Sequence, residues 1–509
     1  MVIMISLSPR DTPYRLTVLV LLILPGAVVP ADWQVTPTLR VRESYSDNMN
    51  LAPSGQARSE FSTEVAPGVL VSTDSERLKL ALSYSLQKVH YTRHAGRTNQ
   101  VLDASGHAEL LPDWLFVDAR AGISQYNVSA FGPQQTDPTQ ITGNTGTVRS
   151  NSISPYLSHY FQGLATAVLR YDYQRVNSGR LLDVSSRAAN LRLTGDNGGR
   201  GWNWDLMVDR TEIDDAALPP VTMSDAALTL SYPVNGNLSV FTTGGYEKND
   251  YHSTSAQPQG NYWTAGAAWV PSPRTRLAAS LGRRYFGKTY TLDAEYRMRN
   301  MFWTINYNED ITTMHGEFLS IPPTGLSDFL YDLWATRIPD PQKRRQSIKL
   351  FMAISQMLGP DGNVNFFSHR YYLQKQLRLA TVYSTPRSAL GLNYSNSRRT
   401  AQTSSAIDSV LLGPDELSLT DRTAQSALQL GWNWRMSARD NLTIGASHSR
   451  ARSLTTGRAD RNNVLTLTAS RQLQTGVSAT VNVRHARHNS NAGGNYRENG
   501  VSAALMVAF

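Results

Sequence analysis

Cysteine is absent from all 509 residues, which excludes a disulfide scaffold and any thiolate chemistry. Long apolar runs are missing too: after the first thirty residues no segment is apolar and long enough to span a bilayer as a helix. The ten histidines are scattered, and none shows the i, i+4 helical pairing of a zinc protease. The closest pair, His485 and His488, sits at a strand end beside Arg484 and Arg487 and makes a poor metal site. Gly143-Asn144-Thr145-Gly146 lacks the lysine of a phosphate cradle, which argues against a nucleotide. No serine, histidine and aspartate share a spacing that points to a catalytic triad. The sequence thus predicts no catalytic residue, no cofactor, no metal and no nucleic-acid partner, so the protein is not expected to be an enzyme.

What is present has a different grammar. A hydrophobic content of 40% with a mean hydropathy of −0.35 is too polar for a helical membrane protein. It suits a barrel, in which every second residue meets lipid and the others stay wet. The 23 tyrosines and 10 tryptophans suit aromatic girdles at two interfaces. A formal charge of +9 and a pI near 9.6 point to an anionic partner.

At the N-terminus, Arg10 and Arg15 precede the apolar run Leu16–Leu24, and small residues follow up to Ala31. These are the parts of a secretory signal peptide over residues 1–31, with Val29 and Ala31 at the −3 and −1 positions and cleavage before Asp32.

From Trp33 onward, apolar and polar residues alternate in segment after segment. Val35, Leu39 and Val41 oppose Thr36, Thr38, Arg40 and Arg42, and Leu78, Leu80, Leu82, Tyr84 and Leu86 oppose Lys79, Ser83 and Gln87. The last such segment is 501–509, where Val501, Ala503, Leu505, Val507 and Phe509 alternate with Ser502, Ala504, Met506 and Ala508. A strand ending on an aromatic carboxylate resembles the C-terminal signature of Gram-negative outer-membrane barrels, which makes Phe509 the expected assembly signal. Short turns such as Asn235-Gly236-Asn237 and Gln474-Thr475-Gly476 alternate with longer polar loops near 48–57, 130–146, 250–258 and 401–421. The predicted fold is all-β, a transmembrane antiparallel up-and-down barrel over residues 32–509 with about 22 strands. Residues 314–365 stand apart as a long extracellular loop. Helix signals run from Asp340-Pro341 to Gly359-Pro360, either as a lid in the mouth or as a helix packed on the rim.

The opening strands carry a more specific pattern: Arg42-Glu43-Ser44-Tyr45-Ser46-Asp47-Asn48, then Glu64-Val65-Ala66-Pro67-Gly68, continuing in outline to Arg283-Arg284-Tyr285-Phe286-Gly287. This resembles the outer-membrane barrels associated with PEP-CTERM/exosortase systems of exopolysaccharide gene neighbourhoods. The resemblance implies a barrel linked to polysaccharide or surface-protein export, and it supplies no catalytic residues.

If the apolar face meets lipid, then Arg40, Arg42, Arg120, Arg170, Arg192, Arg378, Arg435 and Arg484 line the lumen, with Asp118, Asp172, Asp205, Asp293 and Glu295 among them. Either the arginines are free and favour anionic solutes, or they pair across strands and brace the wall. Three readings follow: a pore or export channel for an acidic exopolysaccharide, a structural or anchoring barrel with a blocked lumen, and, third, a barrel hydrolase. Expected partners are outer-membrane lipid, the barrel-assembly machinery and periplasmic export components.

Overall fold

A computed structural model describes residues 32–179, 182–195, 201–254, 257–313, 316, 367–408 and 418–509. The expected signal peptide (1–31) and, Gly316 apart, the expected helical loop (314–365) lie outside the described residues. Twenty-two antiparallel strands run from β1 (Gln34–Ser46) to β22 (Tyr496–Ala508), each bonded to the next in sequence. β22 then pairs back onto β1, from Thr38↔Ala508 to Ser46↔Gly500, so the sheet closes and keeps no free edge.

The alternation read from the sequence decides which face is which. On β18 (Arg422–Arg435), Leu428 and Leu430 are 43% and 39% exposed, whereas the intervening Gln429 is 5% exposed. Apolar side chains outside and polar ones inside reverse the pattern of a soluble protein and match a wall set in lipid. Aromatic residues flank this belt at both ends. Trp432 and Trp434 stack 5.9 Å apart near one rim, where Trp202 and Tyr232 also meet; Tyr45 and Phe61 pack 4.7 Å apart near the other.

Both ends of the barrel chain and the short turns share the first rim, the periplasmic one by the usual asymmetry of such barrels. There Gly476 takes a positive φ of 76° in the turn before the next strand and sits against the Ala508 carbonyl, where a side chain would be strained and crowded. Phe509 lies beside it, its N–H donating to the Pro37 carbonyl at 3.0 Å while its ring is 74% exposed. A ring this exposed contributes little to the folded wall and is available to be recognised. Deleting Phe509 should therefore slow assembly and leave protein in the periplasm while hardly changing the melting temperature of barrels that do form. Heat-modifiable gel mobility and membrane yield measure the first effect, and normal values for the deletion would refute the targeting role.

Candidate functional site

A wall of 22 strands encloses a bore too wide for its own side chains to fill. At the extracellular end the loop from β5 (Leu115–Asn127) to β6 (Thr145–Phe161) does the filling. Expected from sequence as an outer loop, it folds into the mouth, with Ala130, Phe131, Gln134, Asp137, Thr139 and Gln140 all buried. Its own polar groups hold its shape. Gln140 Oε1 accepts from the Thr136 and Asp137 N–H groups at 2.8 and 3.1 Å, and Asp137 accepts from the Thr139 N–H and hydroxyl at 2.9 and 2.7 Å.

Asp137 is the fastening point. Its carboxylate takes hydrogen bonds from Arg42 on β1 and from Arg484 on β21 (Val477–Ser490), the latter at 2.7 Å. Arg484 also grips Glu498 on β22 through Nε and Nη2 at 3.0 and 2.7 Å, and Glu498 accepts from the Ser46 hydroxyl at 2.8 Å. Glu64, the register partner of Arg42, accepts from Arg40 at 2.5 Å. Burial works against the Asp137 charge, but Arg484, Arg42 and the Thr139 donors together hold its carboxyl well below the usual carboxylate range.

Further bonds spread the loop over the walls. The Gly132 N–H donates to Asp460 at 2.7 Å and the Gln134 N–H to the Tyr496 hydroxyl at 3.2 Å. On the other side the Tyr91 hydroxyl donates to the Thr139 carbonyl at 2.7 Å. The lumen is crossed where the Phe367 N–H donates to the Val128 carbonyl at 2.9 Å. Val128 follows β5 and Phe367 precedes β16 (Tyr371–Ser384), which stands on the opposite side of a 22-strand ring. Around this bridge Phe131, Val148, Val176, Val184, Ile213, Phe367 and Leu419 form one apolar cluster, against which Val128 packs. Behind Phe367, Asp408 accepts from the Ser368 hydroxyl and the His369 N–H at 2.6 and 2.8 Å, and the His369 ring meets Asp215 at 2.5 Å.

The eight predicted arginines do not act alike. Arg40, Arg42, Arg170, Arg192 and Arg484 are ion-paired with carboxylates of the wall or the loop. Arg170 bridges Asp118 and Asp172 and lies over the Tyr156 ring, which stacks on Phe116. Arg435 lies at the periplasmic rim and donates to the Pro386 carbonyl, while Arg378 faces Asn306 and Ser395 in register. Arg120 and Arg435 are both exposed with no ion-pair partner among the described residues, and of the two Arg120 is the one that stands in mid-strand, away from the rim. Of the predicted acids, Asp205 pairs with Arg192, Asp293 accepts from Asn306, and Glu295 lies 3.5 Å from Arg297. His485 and His488 point to opposite faces, one bonding Asn499 outside and the other Asn462 inside, so they do not form a pair. Sequence reading missed Asp137, Glu64 and Glu498, because the partners of the loop lie far away along the chain.

A closed barrel with a lipid-facing belt, two aromatic girdles and a loop folded into its mouth defines the class: a Gram-negative outer-membrane β-barrel. No protein-family model matches the sequence, and no curated protein is significantly similar to it. Among solved structures, the chain is similar to the siderophore receptor PirA from Pseudomonas aeruginosa, at 10% identity and a TM-score of 0.45, covering 94% of this chain and 80% of the other. It is also similar to Pseudomonas aeruginosa OpdK, solved with vanillate, at 6% identity and a TM-score of 0.36, covering 94% and 99%. The FrpB iron transporter from Neisseria meningitidis aligns at 10% identity and a TM-score of 0.44, covering 93% and 81%.

Proposed function

We propose that the protein is a gated outer-membrane channel whose extracellular mouth is held shut by the β5–β6 loop. The observation that carries this reading is Asp137, a buried loop carboxylate clasped by arginines of two different wall strands. A permanent stopper needs no charge, since apolar packing seals as well; ion pairs in a protein interior are better suited to specify a position that can be left. The solute we propose is an acidic exopolysaccharide, passed outward in a PEP-CTERM/exosortase setting with periplasmic export components. Support comes from the resemblance of the opening strands and from the net positive charge of the chain. With five of the eight arginines already paired, preference for an anion would fall to the remaining cations, Arg120 foremost.

A sealed structural barrel is the second reading, favoured by the apolar cluster that crosses the mouth. Proteoliposomes separate the two. With the loop opened, an acidic oligosaccharide should enter faster than a neutral one of equal size, and Arg120→Gln should reduce the difference. Equal rates would remove the anionic polymer from the proposal, and impermeability of the opened barrel would favour the sealed one.

A further inference from the structure

Over its last four strands, the outer wall near the extracellular end carries charge of one sign. Arg450 and Arg452 on β19 (Asp440–Ser453), Arg461 on β20 (Ala459–Gln474), Arg487 on β21 and Arg497 on β22 alternate with inward, buried residues such as Ala451, Asp460, His488 and Glu498. They therefore face away from the lumen. The inward carboxylates Asp460 and Glu498 are each paired with an arginine, Arg458 and Arg484 respectively. None of the five outward guanidiniums has an ion-pair partner among the described residues. Asp47, where the adjoining β1 ends, is engaged by the Asn499 backbone and side-chain amides.

The register sharpens the anomaly. Arg450 lies directly opposite Arg461, and Arg487 directly opposite Arg497. Like charges opposite one another on neighbouring strands are destabilising unless something anionic lies between them. Arg450 Nε is moreover buried with no hydrogen-bond partner, an arrangement that costs free energy in the protein alone. Arg450, Arg452 and Arg461, with Asn489 and Asn495, line an open cavity of about 470 Å³. Four residues further down the same faces stand Leu465, Val483 and Val501, the exposed apolar side chains of the lipid belt. At about 3.4 Å per residue along strands tilted by roughly 40°, this places the arginines about 10 Å closer to the extracellular side than those apolar side chains.

We propose that this cluster is a binding site for the phosphorylated headgroups of outer-leaflet lipid, each phosphate bridging guanidiniums across a like-charged strand pair. Arginine suits the task because its planar fork binds phosphate bidentately and stays charged in a partly dry setting. The site lies outside the barrel, so the proposal is independent of what passes through the lumen.

The test uses the full chain in detergent, with bisphosphorylated lipid A, its dephosphorylated counterpart and inorganic phosphate as probes, read by native mass spectrometry and thermal melting. Bisphosphorylated lipid A should bind saturably and raise the melting temperature. The Arg450→Gln/Arg461→Gln double variant should bind at least roughly tenfold more weakly, as expected when both guanidiniums that bridge one phosphate are lost. Its lipid-free melting temperature should be unchanged or higher, because repulsion has been removed. Should that variant fail to show heat-modifiable mobility, Arg487→Gln, outside the cavity, carries the same expectation of weaker binding. Wild-type-like binding by the folded variants would overturn the proposal, as would equal binding of dephosphorylated lipid. Full competition by inorganic phosphate at matched concentration would overturn the lipid assignment.

Discussion

Replacing residues 130–142 by a short glycine–serine turn should convert a closed barrel into a steadily conducting one in planar bilayers. The replacement removes Asp137, Phe131 and the bonds from Gly132 and Gln134 to the far wall. It leaves the wall intact, because Arg484 keeps Glu498 and Arg40 keeps Glu64. The flanking strands β5 and β6 are already paired up to Asn127↔Thr145, so a tight turn can join them. Wild-type protein should be silent or flicker briefly under the same voltage. Acid alone should not mimic the deletion. The folded carboxyl of Asp137 is depressed, so its contribution is fully present above its unfolded pKa of about 3.9. That contribution is lost only as pH falls through the still lower folded value. A bilayer titration from pH 7 to about 4 should therefore leave the wild type shut. Opening near pH 6 would mean that the latch is not what closes the mouth.

Leu430→Arg should destabilise the barrel by about 2–4 kcal/mol if the side chain sits near the bilayer midplane. Leu430 is 39% exposed on the outer face, in register with Leu392 and Ala446, and nothing there can pair a guanidinium. Ser83→Arg makes the comparison sharp, because Ser83 faces the lumen opposite Asp103 and an arginine there stays wet beside a carboxylate. Urea unfolding in vesicles, followed by tryptophan emission, measures both. Equal losses for the two variants would contradict a membrane on one face and water on the other.

The barrel was legible because a strand with one face in lipid and one in water writes its alternation directly into sequence, and 22 strands repeat it. The terminal alternation through Phe509 likewise foretold closure onto β1. The mouth was not legible, for a physical reason. Pro133-Gln134-Gln135-Thr136-Asp137-Pro138 has no period, and a polar loop reads the same whether it waves in solvent or is buried. What buries it is Arg42 and Arg484, which lie 95 and 347 residues away. That the arginines point inward and can pair across strands is legible in the sequence, but not which carboxylates they meet, since Arg42 faces Glu64 only once the β1–β2 register is known. The outer arginines escaped notice because outward positions were expected to be apolar, and the rule stops where the lipid belt ends.

The position of the latch also orders events in time. Arg42 belongs to the first strand and Arg484 to the last but one, on either side of the seam where β22 meets β1. Until that seam has formed, the two guanidiniums stand at opposite edges of an open sheet, and no single carboxylate can touch both. Asp137 can therefore be clasped only in a finished barrel. The loop then ties the strands flanking the seam to each other, so sealing the mouth becomes the final stitch of assembly.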